Sequence, residues 1–276
     1  MVKGLDTFLE HFKGFETSYV LIGGTACDLW MSEKDQDFRA TRDLDMVIIV
    51  EGLTADFFVR FWEFIRAGGY EIQWNSEGEA KFYRFKKPTV TGFPSIIELF
   101  SKNKLDLPEG TRLTPIPADE DLSSLSALLL NDDCYNYILE CRIIVKACSI
   151  VPANCLVPLK ARAYLDMVKR KGEGDASVKD EDIKKHRNDV FRLYTTFAAS
   201  DRYALPETLK ADLRAFLACF PKESADWGAI KGALGKGKLP APDTVLTQLR
   251  TIFQLEGAGS GEALPSSEPT AGVAAL

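Results

Sequence analysis

Two aspartates one residue apart, Asp43 and Asp45, are the groups in this 276-residue chain best placed to do chemistry. They sit at the head of an apolar run, Leu44 to Val50, that reads as a strand. Residues two apart in a strand share a face, so both carboxylates point one way while Leu44 and Met46 face the core. Neighbouring carboxylates raise each other's pKa unless a cation lies between them. A hard divalent ion such as Mg²⁺ suits that position, because it takes oxygen ligands and keeps water and phosphate oxygens. Upstream, the apolar segment Tyr19-Val20-Leu21-Ile22 ends at Gly23-Gly24-Thr25. Two glycines let a phosphate approach the backbone, and the free N–H groups of a following helix would hold its charge. Taken together, these are a metal clamp beside a polyphosphate cradle.

The elements that must position them follow from periodicity. Leu5, Phe8, Leu9, Phe12 and Phe15 give an amphipathic first helix. The strand at 19–22 leads into a helix to about Lys34, with Thr25 as its expected N-cap. A charged stretch, Ser32 to Arg42, precedes the Asp43 strand. Thr54 opens a helix with an aromatic stripe at Phe57, Phe58, Phe61, Trp62 and Ile65, closed by Gly68-Gly69. Strands are expected at Tyr70–Trp74, Lys81–Phe85 and Ser95–Phe100, then a Pro-rich loop over Leu105–Asp121 and strand-like segments between Leu125 and Ile150. After Pro152 the pattern turns helical: Leu156–Lys171 with Pro158 in its first turn, then Asp180–Phe197, Pro206–Phe220, Ala225–Leu234 and Asp243–Leu255. The fold class is therefore α/β (α+β): an N-terminal mixed sheet flanked by helices over 1–151, a helical domain over 152–256, and a disordered Gly/Ala/Ser/Pro tail over 257–276.

Further candidates lie downstream. Glu98, in Ser95-Ile96-Ile97-Glu98-Leu99-Phe100, is the candidate third carboxylate; the alternative is an edge strand with Glu98 facing water. Asp106 is a poorer candidate because it follows the strand in a loop. Lys160 shares a helical face with Leu156, Ala163, Tyr164 and Met167, where it either snorkels or reaches a triphosphate. In Lys184-Lys185-His186-Arg187-Asn188-Asp189-Val190-Phe191, His186 falls on the apolar side and reads as core. Lys184, Lys185 and Arg187 read as a solvated face or an RNA contact. The basic group Lys81, Arg84, Lys86 and Lys87, with Phe82, Tyr83 and Phe85 interleaved, reads as strand core or a base-stacking surface.

Composition narrows the classes. No apolar run is long enough for a membrane span. The start, Met1-Val2-Lys3-Gly4-Leu5-Asp6, does not read as a signal peptide. Two histidines exclude a multi-His metal centre, and a net charge of −6 argues against non-specific nucleic-acid coating. Cys134, Cys141, Cys148 and Cys155 recur every seven residues, but none forms the close pair a zinc site needs. All six cysteines are expected to be free thiols in a reducing cytoplasm.

The order strand, Gly-Gly-Thr, helix, Asp-x-Asp strand resembles the signature of the DNA polymerase β-like nucleotidyltransferases. With Arg39-Ala-Thr-Arg42-Asp-Leu-Asp45, a strand Glu, Pro158-Leu-Lys160-Ala and Lys-x-x-Asn188-Asp189, residues 18–195 resemble AbiEii/AbiGii-type toxin nucleotidyltransferases. The resemblance implies that Gly23, Gly24, Thr25, Arg39 and Arg42 bind the nucleotide. It implies that Asp43, Asp45 and Glu98 hold Mg²⁺, and that Lys160 and Asp189 join them in catalysis. It also implies an NTP substrate, a tRNA or other RNA acceptor, a cognate antitoxin, and a cytoplasmic toxin–antitoxin or phage-defence role. The spacing from the glycines to Asp43 is longer than in the minimal motif. Rival readings are an antibiotic or protein adenylyltransferase, which the negative charge suits for a cationic aminoglycoside, and an inactive nucleotide-binding module.

Overall fold

The computed structural model describes residues 2–49, 54–72, 82–100, 131–235 and 237–255. The Pro-rich loop, Asp106 and the 257–276 tail lie outside them. Among the described residues a seven-stranded mixed sheet runs in the order β3-β4-β5-β2-β1-β7-β6. Its strands are β1 (Tyr19–Ile22), β2 (Asp43–Ile48), β3 (Glu71–Ile72), β4 (Phe82–Lys86), β5 (Ile96–Phe100), β6 (Ile143–Val145) and β7 (Cys148–Ile150). β2 pairs antiparallel with β1 and parallel with β5, so the Asp43 strand lies at the centre of the sheet. The chain is α+β, as its periodicities indicate.

Alternation divides the sheet's work between its faces. On one face Tyr19, Leu44, Met46, Phe85, Ile97 and Leu99 are buried. There they meet α1 (Leu5–His11) and α3 (Ala55–Gly68) in an aromatic layer, Phe8 with Tyr19 at 5.3 Å and Phe61 with Phe85 at 5.5 Å. Its tilted and edge-on rings add to the area they bury. The expected α3 boundaries hold: Thr54 Oγ1 accepts from the Phe57 N–H at 3.2 Å, and Gly69 closes the helix in the left-handed conformation. The other face carries Ile22, Asp43, Asp45, Arg84, Ile96 and Glu98, which face the helical half of the chain.

That half begins with α4 (Asp132–Cys141); of the span expected to hold strand-like segments, 132–141 is helical while β6 and β7 are strands. Asn131 caps it, its side chain accepting from the Cys134 N–H at 3.1 Å, and Cys134, Tyr135 and Ile138 are buried along one side. Next come α5 (Ala153–Gly172), α6 (Asp180–Tyr194), α7 (Glu207–Ala218), α8 (Asp226–Leu234) and α9 (Pro242–Ile252). α5 starts earlier than its sequence suggests, and Pro158 lies inside it rather than in its first turn. Proline lacks the N–H that would bond Asn154 O four residues back. Tyr137 Oη supplies the missing donor at 3.3 Å. α5, α6 and α7 enclose Tyr164, Phe191, Phe216 and Phe220, and one buried apolar cluster continues from the sheet into these helices. Among the described residues no helix is long and apolar enough to cross a membrane.

Candidate active site

Between the polar face of the sheet and α5–α6 lies a cleft of about 630 Å³. Gly23, Gly24, Arg39, Asp43, Asp45, Glu98 and Lys160, drawn from widely separated parts of the sequence, all line it. Of the other sequence candidates, Thr25 is fully buried in α2 (Gly23–Ser32). It does not cap that helix, which begins two residues earlier; its Oγ1 donates to Asp43 O at 2.7 Å and pins the turn to the aspartate strand. Arg42 points to solvent outside the cleft, and its carbonyl accepts from the Ser95 N–H at 3.2 Å. Asp189 is fully buried behind the cleft wall.

The register accounts for the carboxylates. Asp45 is level with Ile22 of β1 and with Glu98 of β5, so Glu98 faces the same space from a strand paired on both sides, not from an edge. Gly23 has φ +66°, and a Cβ on it would collide with Asp45 Oδ2. Only glycine lets the turn and this carboxylate occupy one place. Asp45 also accepts from the Gly24 N–H and shares a hydrogen bond with Glu98. A Gly23→Ala variant should lose at least ~1–2 kcal/mol from the left-handed backbone alone. It should also displace Asp45. An unchanged denaturation midpoint would contradict this packing.

Electrostatics mark the three carboxylates as strained. Burial, then Asp45, pushes Glu98 up to about 8, against the pull of Arg84. Burial raises Asp45, with Lys160 opposing, and burial followed by Glu98 raises Asp43. Arg84, read from the sequence as part of a basic patch, sits opposite Glu98 in the β4–β5 register. It donates through Nε at 2.8 Å and a terminal nitrogen at 2.6 Å to Glu98 Oε1. His186 is the second departure: it lines the cleft rather than the core, and its buried Nδ1 has no hydrogen-bond partner. Burial, then the Lys160 charge, lowers it to about 3, so it is neutral at ordinary pH. Lys179 and Lys185 also line the cleft; Arg187, by contrast, is buried in an ion pair with Asp226 at 2.6 Å.

Behind the wall, Asp189 collects three cations. Arg39 reaches it through Nε at 3.0 Å and a terminal nitrogen at 2.8 Å, Lys160 Nζ lies at 3.4 Å, and Arg192 at 3.3 Å. Arg39 and Lys160 also line the cleft, so this carboxylate fixes where two of the cleft's positive charges sit.

The donor set suits a hard cation that takes only part of its shell from protein. Asp43 and Asp45 lie on one face of β2, and Gly23, having no side chain, leaves room for Asp45 Oδ2 against the turn. Among the described residues no group of three or more His, Cys, Asp and Glu is arranged to hold a metal ion, so at most two carboxylates would be offered here. Mg²⁺ is bound in that way, by one or two carboxylates with water and phosphate oxygens completing its shell.

No protein-family profile matches the chain. No curated protein matches it either. Among solved structures it is similar to the solution structure of the antibiotic-resistance factor ANT(2'')-Ia, at 9% identity over 83% of this chain and 97% of that one, with a TM-score of 0.33. A likeness of that size bears on neither fold nor activity.

Proposed function

We propose that this chain is a Mg²⁺-dependent nucleotidyltransferase that moves a nucleoside monophosphate from an NTP to an acceptor hydroxyl and releases pyrophosphate. One observation carries the reading: Asp43, Asp45 and Glu98 converge from adjacent strands on a glycine turn, in a cleft whose opposite wall presents Lys160. Asp43 and Asp45 would hold the metal, which when bound neutralises phosphate charge and polarises the α-phosphorus. The Gly23–Gly24 turn receives the phosphate chain at the start of α2, where the positive end of the helix favours an anion. Lys160 and Arg39, held by Asp189, face the triphosphate and stabilise charge developing on the departing pyrophosphate. Glu98 holds a proton that it shares with Asp45, and Arg84 fixes its carboxyl in the cleft.

The acceptor we propose is RNA, tRNA foremost, with the chain acting as the toxin of a toxin–antitoxin or phage-defence pair. Its support is the downstream motif, whose Lys160 and Asp189 form an ion pair at the cleft wall. The test is the fate of α-phosphate label from each NTP, with Mg²⁺, in the presence of total RNA or of an aminoglycoside panel. Label in RNA is the expected result. Label in an antibiotic overturns the acceptor, and no Mg²⁺-dependent pyrophosphate release with any acceptor overturns the reaction.

The carboxylates also predict a pH dependence. Glu98 is raised from 4.5 to about 8, so the folded chain keeps a proton that the unfolded chain releases. Stability from that proton is complete below 4.5 and is lost as pH rises through about 8. In chelator, the melting temperature should therefore fall from about pH 5 to about pH 8.5, and Glu98→Gln should flatten the fall. Mg²⁺ should restore the loss at the alkaline end. Identical slopes for Glu98→Gln and the parent would refute the shared-proton arrangement.

A further inference from the structure

One group in the cleft has no task in the phosphate chemistry. His186 lines the cleft from α6, and its Nδ1 is sealed from solvent with no hydrogen-bond partner. Nε2 is not sealed, and among the described residues it takes no hydrogen bond either; the side chain keeps a partly exposed edge. A neutral imidazole carries one proton between its two nitrogens. On Nδ1 that proton would make a buried N–H with no acceptor, so it sits on Nε2, the nitrogen a ligand can reach. The Lys160–Asp189 pair at 3.4 Å and the Lys171–Asp180 pair show that α5 and α6 run antiparallel. Moving away from Lys160, the next cleft-lining residues are therefore Ala163 on α5 and His186 on α6, each about 4.5 Å along its helix from that pair. Met167 and Val178 line the cleft beyond them.

On the nucleotidyltransferase reading, on which this inference rests, we propose that His186 selects the nucleobase: its Nε2–H donates to a ring-nitrogen or carbonyl acceptor of an NTP base that lies against Ala163, Met167 and Val178. The phosphates stay with the charged groups, Lys160 and Arg39, one turn away. A base that turns an amino group to the same point sets donor against donor and leaves both unpaired. His186 therefore discriminates among bases rather than holding all of them alike.

Charge and surface both fit a base better than an anion. Burial, then the Lys160 charge, lowers His186 to about 3, so the ring brings no positive charge to a phosphate and is too weak a base for proton transfer near neutral pH. Lys160 and Arg39 already supply cations to the cleft. Lys185 and Asp182, which lie beside His186 on α6, are committed to each other at 2.8 Å. Ala163, Met167 and Val178 offer an apolar surface suited to a flat aromatic ring, and methionine sulfur favours contact with one. An apolar wall with a few placed polar groups is how pockets fix and select small molecules.

The test measures binding rather than turnover. Non-transferable α,β-methylene analogues of the four NTPs, and inorganic tripolyphosphate, are titrated with Mg²⁺ into the parent, His186→Leu and His186→Gln. The parent should prefer one base. His186→Leu should lose on the order of 10-fold in affinity for that analogue and bring the four together, yet bind tripolyphosphate as the parent does. Glutamine keeps an N–H near the Nε2 position, so His186→Gln should regain most of the loss. Where His186→Leu does not fold, the parent's ring signals decide. The chain has two histidines, and His11 lies on α1 with its Nε2 3.0 Å from Arg60 O. A slowly exchanging His186 Nε2–H should appear by NMR with the preferred analogue and not with tripolyphosphate; its absence overturns the inference. Equal binding of all four analogues by the parent, or a preference that survives in His186→Leu, overturns this inference alone. An equal loss of tripolyphosphate binding puts His186 on the phosphates and likewise overturns it alone. A parent that binds neither analogue nor tripolyphosphate overturns the nucleotidyltransferase reading itself.

Discussion

Asp45→Asn should abolish nucleotidyl transfer while leaving the fold as stable as the parent, or more so, in chelator. The side chain lies where β1 and β5 flank β2, level with Ile22 and Glu98, so no other carboxylate can take its position. Asparagine is nearly isosteric and keeps an oxygen for the Gly24 N–H, and its amide can donate to Glu98. What it removes is one negative charge from a crowded cluster. Burial already raises Asp45 and Glu98, so losing that charge relieves repulsion in the metal-free protein. The same loss removes the ligand that would carry a divalent cation against the triphosphate. A group of this kind is worth on the order of 10²–10³-fold in rate. Single-turnover transfer of labelled α-phosphate and melting in chelator check the two halves separately. Full activity in Asp45→Asn would end the nucleotidyltransferase reading; lost stability with retained metal dependence would show that the carboxylate holds the turn rather than the metal.

The sequence displays most of what positions this cluster, and the omissions share a physical cause. β1, α3 and the C-terminal helices were legible because their signals are local: four apolar residues ended by glycines, a Thr54 cap with a Gly69 stop, and stripes at helical spacing. The α4 segment reads as strand-like because Tyr, Ile and Cys suit strands, although Asn131 followed by Asp132 and Asp133 is a helix start. The cleft's remaining members depend on what lies across from them. Arg84 meets Glu98 only through the β4–β5 register, and Thr25 reaches Asp43 O eighteen residues away. His186 was assigned to the apolar side of its helix, where it does lie, but a helical period cannot tell whether that side faces core or cleft. The motif names Asp189 beside Lys160 as a catalytic residue. Its convergence with Arg39 and Arg192, and its complete burial, are visible only in three dimensions.

Asp189→Asn should be the most destabilising single change near the cleft, larger for stability than Lys160→Met. Asp189 has no exposed surface and is shared by Arg39, Lys160 and Arg192. Burial alone would raise its pKa, but Lys160 and Arg39 together outweigh burial and hold the carboxyl below its ordinary value. That balance means the anion stabilises the native state at neutral pH, and its contribution is lost only as pH falls through a value lower than 3.8. Asparagine keeps the shape but presents an amide N–H to one of the cations, leaving three positive groups around a neutral residue. Breaking a buried pair in this way costs about 3–5 kcal/mol, or roughly 6–20 °C in melting temperature for a chain of this size. Lys160→Met differs because it removes a cation that Arg39 and Arg192 can replace as company for Asp189. Its stability should hardly change, while kcat falls by at least ~10²-fold if the ammonium meets developing phosphate charge. In the double variant, the loss of activity should be less than the product of the single losses, because Asp189 acts on catalysis through the placement of Lys160 and Arg39. Thermal melts at neutral pH with single-turnover rates on the two single variants and the double variant separate these effects. An Asp189→Asn protein that melts with the parent would show that the three cations do not depend on this carboxylate, and would remove the device that sets the positive wall of the cleft.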